Sequence, residues 1–234
     1  MAGTSDPGDT VDGWQTEQAE ACIQTVWLQA AAPWCRAVRD GRIRSRVAVT
    51  NAAILDAIAA RPGGRLLDLG CGEGWLLRAL SGNPVWRERI GVDASPELVA
   101  LAQSAGGGRF LCGSYGALSS ANLGRFDLIV ANFSLLGETS SQAALCDASA
   151  LLGPGGELLI QTLPPANRQG WQSGSWQGCG EGFGPAAPWF ARTLDGWRSD
   201  LQSAGLRLHR AQIHLDPASG QALSLLLTAM PTDD

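Results

Sequence analysis

Leu66-Leu67-Asp68-Leu69-Gly70-Cys71-Gly72-Glu73-Gly74 joins an apolar run to three alternate glycines and then to a helical stretch. Glycine lets the backbone turn sharply and approach a ligand, and the N–H groups that open a helix are free to meet polar atoms. Spacing decides which ligand. A dinucleotide fingerprint needs a small residue three places after the second glycine, so that helix can pack on strand. Position 75 is Trp, which disfavours a nicotinamide dinucleotide. One strand–helix–strand unit later, Gly91-Val92-Asp93 ends a second apolar run. In doubly wound folds an acid at that tip accepts hydrogen bonds from ribose hydroxyls.

The pair of motifs, D-x-G-x-G-x-G followed by an acid at the second strand tip, resembles the class I S-adenosylmethionine-dependent methyltransferases. The resemblance runs from about Arg65 to Met230. It continues through Gly113-Ser114-Tyr115, Phe126–Phe133 and Leu151–Leu158. It implies S-adenosylmethionine as cofactor and S-adenosylhomocysteine as product. By the same resemblance Asp68, Gly70, Cys71, Gly72 and Gly74 surround the methionine portion, Asp93 holds the ribose, and Ala94 lies beside the adenine. Ser114 stands where the family often has an Asp bonding the adenine amine, and Tyr115 helps through its backbone. Asn132 and Phe133 fall at the fourth strand tip, close to the transferred methyl.

Methyl transfer is a displacement at a sulfonium carbon, in which alignment and desolvation supply most of the acceleration. A general base is needed only where the acceptor is protonated at working pH. No such base stands out: His209 and His214 read as edge-strand residues and Glu181 as a solvated acid. Arg36, Arg39, Arg42, Arg44 and Arg46 oppose a single Asp40. These fit a solvated helix end, or a bidentate carboxylate clamp in which Arg46 holds the cofactor and Arg44 an acidic acceptor. Four of the nine tryptophans, Trp171, Trp176, Trp189 and Trp197, flank or occupy residues 164–190. Trp171 and Trp176 are the candidates for an aromatic substrate wall.

Missing motifs narrow the acceptor. Amino-methylating nucleic-acid enzymes of this class carry (Asp/Asn)-Pro-Pro-aromatic after the fourth strand, where this chain reads Asn132-Phe133-Ser134-Leu135. No cysteine follows a proline, as a cytosine C5 enzyme requires, and no Asp/Asn cluster suggests a metal. A small molecule is the expected acceptor, on oxygen or nitrogen and either acidic or aromatic. The alternatives are an RNA or protein methyltransferase, or a non-catalytic cofactor-binding subunit.

These residues need a scaffold, and the pattern supplies one. Residues 1–12 are small, polar and acidic and read as a loose tail. Residues 13–60 read as a helical cap broken at Pro33 and near Asp40-Gly41. From 61 onward, apolar runs at 65–69, 89–93, 109–112, 126–131 and 157–163 alternate with helices at 74–81, 96–104 and 139–152. That alternation predicts a parallel sheet. Residues 164–190, rich in Gly, Pro, Ser and Trp, form a lid or substrate loop. A helix near 193–204 precedes a hairpin of 206–215 and 222–230. The expected architecture is an α/β, three-layer, doubly wound sheet of seven strands, one antiparallel.

Composition excludes other classes. The 234 residues are 45% hydrophobic and 17% charged, a globular balance. All 17 basic residues are arginine, which rules out a P-loop lysine, a pyridoxal Schiff base and a lysine general base. A net charge of −5 disfavours nucleic acid as partner. Six spaced cysteines without C-x-x-C read as reduced thiols, not zinc ligands. No apolar run is long enough to span a bilayer, and no cationic leader start precedes Arg36. A cytoplasmic protein is expected; its oligomeric state is left open.

Overall fold

The structure is a computed structural model that describes residues 14–232. The expected tail at 1–12 lies outside the described residues. Helices α1 (Thr16–Gln29) and α2 (Ala31–Arg39), a π-helical turn (Arg46–Thr50) and α3 (Asn51–Ala59) come first. Then follow β1 (Gly64–Leu69), α4 (Trp75–Ala79), β2 (Trp86–Asp93), α5 (Pro96–Ala105), β3 (Arg109–Cys112), β4 (Phe126–Asn132), α6 (Thr139–Leu151) and β5 (Leu152–Thr162). The chain ends with β6 (Gly170–Gln172), β7 (Trp189–Ala191), α7 (Leu194–Ser203), β8 (Leu206–Leu215) and β9 (Ala222–Pro231).

Seven strands form one sheet in the order β3-β2-β1-β4-β5-β9-β8. The pairs from β3 through β5 are parallel, and β9 runs antiparallel to both its neighbours. The chain winds outward from β1 to β3, then returns to β4. The tips of β1 and β4 therefore flank the crevice where ligands bind in such sheets. Neighbouring residues of the central strands bury opposite faces. Leu66, Leu128 and Val130 pack with Ile54, Ile58, Trp86 and Phe110 on one side. Leu67, Ile129 and Ala131 pack with Leu145, Leu151 and Trp197 on the other. Both faces are thus covered, as the near-continuous apolar runs require.

Three sequence expectations are corrected. Pro33 does not break a helix: it sits in the first turn of α2, where its missing N–H is not needed, and the break falls at Ala30. Gly153-Pro154-Gly155-Gly156, which falls between the helix expected at 139–152 and the strand expected at 157–163, lies within β5. The register jumps from Phe126↔Leu152 to Leu128↔Glu157, so the four residues bulge out of a continuing ladder. Residues 164–190 are not one open loop, because Gly170–Gln172 and Trp189–Ala191 pair antiparallel as a ribbon. That ribbon packs on the cap, with Trp171 and Phe190 against Ala19 and, more loosely, Trp14 and Ile23.

Candidate functional site

One cavity of about 320 Å³ opens at the tips of β1, β2 and β4 and is roofed by α1 and α2. Its wall includes Arg46, Asp68, Gly70, Cys71, Gly72, Asp93, Ala94, Ser114, Tyr115, Asn132 and Phe133. Gly74, also expected at the cofactor, is not in the wall: it packs against Phe110 and Ala102, where a Cβ would not fit.

The glycine loop turns because Gly70 and Gly72 both adopt left-handed φ, at 70° and 55°. Asp93 braces that turn from the β2 tip. Its Oδ2 accepts from the Gly72 N–H at 2.8 Å and its Oδ1 from the Ser95 N–H at 2.9 Å. Burial pushes the Asp93 carboxyl up, and those two N–H groups hold it down. Asp68 is fully buried. Desolvation, then the Asp93 charge, push its carboxyl up to about 7 against the pull of Arg46. Arg46 is itself taken from water, which lowers its pKa. Its guanidinium lies 4.9 Å from the Trp75 ring and 5.9 Å from that of Trp34, with Nε donating to Asn51 at 3.2 Å. Among the described residues it forms no ion pair.

Other lining groups are less available for chemistry. Burial raises the Cys71 thiol, helped by the Asp68 and Asp93 charges, so Cys71 stays protonated and is no nucleophile. Burial likewise raises the Tyr115 phenol, whose OH lies 3.5 Å from the Ser134 carbonyl. Asn132 Oδ1 is buried with no partner among the described residues. Phe133 holds a φ of 54°, a conformation rare outside glycine, while its N–H donates to Gln161 at 2.7 Å. A side chain held in that region at a strand tip marks where backbone strain is spent on aiming a residue.

The three expected substrate residues fall elsewhere. Arg44 is exposed and does not line the cavity. Trp171 is 7% exposed and packs edge-on to Phe190 at 5.3 Å, with its indole N–H donating to Thr16. It joins the ribbon to α1. Trp176 stacks on Phe183 at 4.5 Å and meets Trp27 edge-on at 5.3 Å, so it backs an aromatic wall from outside. From the helical cap it is Trp27 and Trp34 that line the cavity, beside Trp75, Tyr115 and Phe133. The arginine run also disperses: Arg39 pairs with Glu73, Arg42 with Asp40, and Arg46 enters the site. His209, His214 and Glu181 are not in the wall.

Several residues that line or brace the cavity carry no sequence signal. Glu73 is 1% exposed at its side chain and pairs with Arg39 at 2.7 Å and Arg78 at 2.6 Å. It thereby ties α2 to the glycine loop. Glu20 on α1 caps α6, and Thr16 donates to Glu138 at 2.5 Å. Ile23 and Trp27 stand four residues apart in α1 and so share one helical face, which is the signal from which the roof could be found. Among the described residues no cluster of His, Cys, Asp or Glu could hold a metal, and no helix is long and apolar enough to cross a membrane.

A mostly parallel seven-stranded sheet with a glycine turn after β1 and a half-buried acid at the β2 tip defines the Rossmann-like methyltransferase class. Residues 43–229 match the family described as "Methyltransferase domain". The chain belongs to that family, of the class I S-adenosylmethionine-dependent kind. The ubiquinone biosynthesis O-methyltransferase of Xanthomonas campestris pv. campestris is 32% identical over 121 residues, 48% of this chain and 50% of that protein. The match thus spans about half the length of that relative. The 1,6-didemethyltoxoflavin-N1-methyltransferase of Burkholderia thailandensis, solved with 1,6-didemethyltoxoflavin and S-adenosylhomocysteine, superposes with a TM-score of 0.67 at 23% identity over 96% of this chain and 94% of that one. Magnesium protoporphyrin IX methyltransferase of Synechocystis PCC 6803, solved with S-adenosylmethionine, gives 0.62 at 16% identity over 95% and 100%. At these identities the likeness is one of fold.

Proposed function

We propose that this protein moves the methyl group of S-adenosylmethionine to an oxygen or nitrogen of a small aromatic molecule. The observation that carries the reading is one cavity with two characters. At the glycine loop it holds one buried carboxylate, Asp68, and one half-buried guanidinium, Arg46, which together suit an amino-acid zwitterion. Asp93 at the β2 tip suits a diol. Under α1 the wall turns apolar and aromatic, with Ile23, Trp27, Leu28 and Leu136.

Arg46 and Asp68 hold the methionine end, Asp93 the ribose, and Ala94 and Ser114 flank the base. When bound, S-adenosylmethionine supplies a methyl carbon made electrophilic by its sulfonium. The protein excludes water from that carbon with Trp27, Trp34 and Phe133, and aims the acceptor at it. The acid-binding branch of the expectation loses its support, since Arg44 lies outside the cavity. The six cysteines are all unpaired, which fits a reducing cytoplasmic setting.

Calorimetric titration tests the cofactor reading. S-adenosylmethionine and S-adenosylhomocysteine should bind in the micromolar range and NAD should not. Arg46→Leu should weaken both by roughly tenfold or more, the value of one charge-assisted hydrogen bond. Equal binding of NAD, or an unaffected Arg46→Leu variant, overturns the assignment.

Affinity should also depend on pH. Asp68 keeps its proton up to about 7 in the folded protein, whereas an unfolded Asp releases it near 4. Between those values the folded state binds more protons than the unfolded one, so the group's contribution to stability falls as pH rises. An ammonium beside Asp68 favours its ionised form. Cofactor binding below pH 7 should therefore expel a proton, and affinity should fall with decreasing pH by up to about tenfold per unit. Titrations in two buffers of different ionisation enthalpy at pH 6 should reveal that proton, and Asp68→Asn should abolish it.

A further inference from the structure

The part of the cavity between α1 and the β4–α6 connection has a charge pattern that selects its occupant. Its walls are Ile23, Trp27, Phe133 and Leu136, and its one ionisable group is Glu20. The only cationic residue lining the cavity among those described, Arg46, stacks over Trp75 beside the glycine loop.

Glu20 is held firmly, and on one side only. Its Oε1 accepts from the Thr139 N–H at 2.8 Å, the Thr139 hydroxyl at 3.0 Å and the Ser140 N–H at 3.1 Å. These bonds fix the carboxylate over the first turn of α6. Oε2 has no donor among the described residues. Gly137 makes room for this placement: a Cβ there would overlap the Ser140 hydroxyl oxygen and both carboxylate oxygens. Its φ is not among the left-handed ones, so the glycine answers to space and not to backbone conformation. A carboxylate fixed through one oxygen, with the other unmatched and apolar rings around it, recognises a hydrogen-bond donor and repels an anion.

We infer that this end takes a flat ring bearing an N–H or O–H donor, neutral or cationic, and rejects carboxylates, with Glu20 Oε2 reading the donor. Trp27 and Phe133 supply the apolar faces. The inference rests on the reading that the glycine-loop end holds the cofactor, since that leaves this end for the acceptor.

The test uses the full chain saturated with S-adenosylhomocysteine and three one-substituent or fused ring probes: indole, benzylamine and benzoate. Dissociation constants come from ligand-observed NMR. Indole and benzylamine should bind at least about tenfold more tightly than benzoate, and Glu20→Gln should shrink the benzylamine-to-benzoate ratio by about tenfold. Gln keeps an oxygen for the α6 N–H groups, so S-adenosylhomocysteine affinity and melting temperature should hold. Gly137→Ala, which displaces the carboxylate, should shrink the same ratio and serves if the Gln variant misfolds. Benzoate binding as tightly as the others overturns the inference. So does a ratio untouched in both variants, or no binding by any probe. Failure of S-adenosylhomocysteine to bind would instead sink the cofactor reading, and the same three titrations on the free protein would still judge this end.

Discussion

Asp93→Ala should weaken S-adenosylhomocysteine binding about a hundredfold while the protein stays folded. A carboxylate that accepts from two vicinal hydroxyls makes hydrogen bonds to a charged group, each worth about 1.5–3 kcal/mol, and about 2.7 kcal/mol corresponds to a hundredfold in affinity. The fold should survive because two effects oppose each other. The Gly72 and Ser95 N–H groups lose their acceptor. Against that, a carboxylate whose pKa is raised by burial no longer has to be kept charged, and the Asp68 carboxyl loses the neighbouring charge that helped to raise it. The melting temperature should move by only a few degrees, and the Asp68 pKa should fall. Calorimetry and thermal unfolding on one preparation check both. An affinity within threefold of the parent protein would remove Asp93 from the site.

The sheet and the glycine-loop half of the cavity were legible in the sequence because both are written in local runs. Leu66, Leu67 and Leu69, like Leu128–Ala131, are apolar and buried on both faces, and a glycine turn needs only neighbours in the chain. The cap half is of another kind. Trp171 looks like a ligand-facing ring in a polar loop until Gly170–Gln172 pairs with Trp189–Ala191, and that pairing depends on contacts far apart in sequence. Once the ribbon forms, Trp171 faces α1 and its indole N–H finds Thr16. Arg44 and Arg46 are indistinguishable by type and nearly so by position. The π-helical turn that begins at Arg46 sends one guanidinium between Trp34 and Trp75 and leaves the other exposed. Glu20 and Glu73 are ordinary acids in the sequence. Their roles come from what meets them in space, an α6 N-terminus and two arginines.

The glycines of the loop also divide their work in a way that spacing conceals, and substitution should separate them. Gly70→Ala is expected to cost about 3–4 kcal/mol and to lower the melting temperature by about 10 °C. A left-handed φ costs a residue with a Cβ about 1–2 kcal/mol, and forcing extra atoms into a packed site about 1–3 kcal/mol more. At φ 70° the new Cβ would overlap the Ser134 Cβ and lie 2.6 Å from the Tyr115 hydroxyl oxygen. Neither neighbour can step aside cheaply. Ser134 donates its hydroxyl to the Leu69 carbonyl and follows Phe133, whose left-handed backbone is already strained. Tyr115 is buried. Relief must therefore come from the turn after β4, which carries Asn132 and Phe133, so cofactor affinity should fall with stability. Gly72→Ala provides the contrast. At φ 55° its Cβ would meet only the Trp34 indole nitrogen, at 3.7 Å. That variant should lose about 1–2 kcal/mol from the backbone alone, and any larger loss should fall on cofactor binding, where the Cβ enters the cavity. Equal melting temperatures for the two variants would mean that the β4 turn yields freely, and that the wall it forms is not the fixed surface from which an acceptor is aimed.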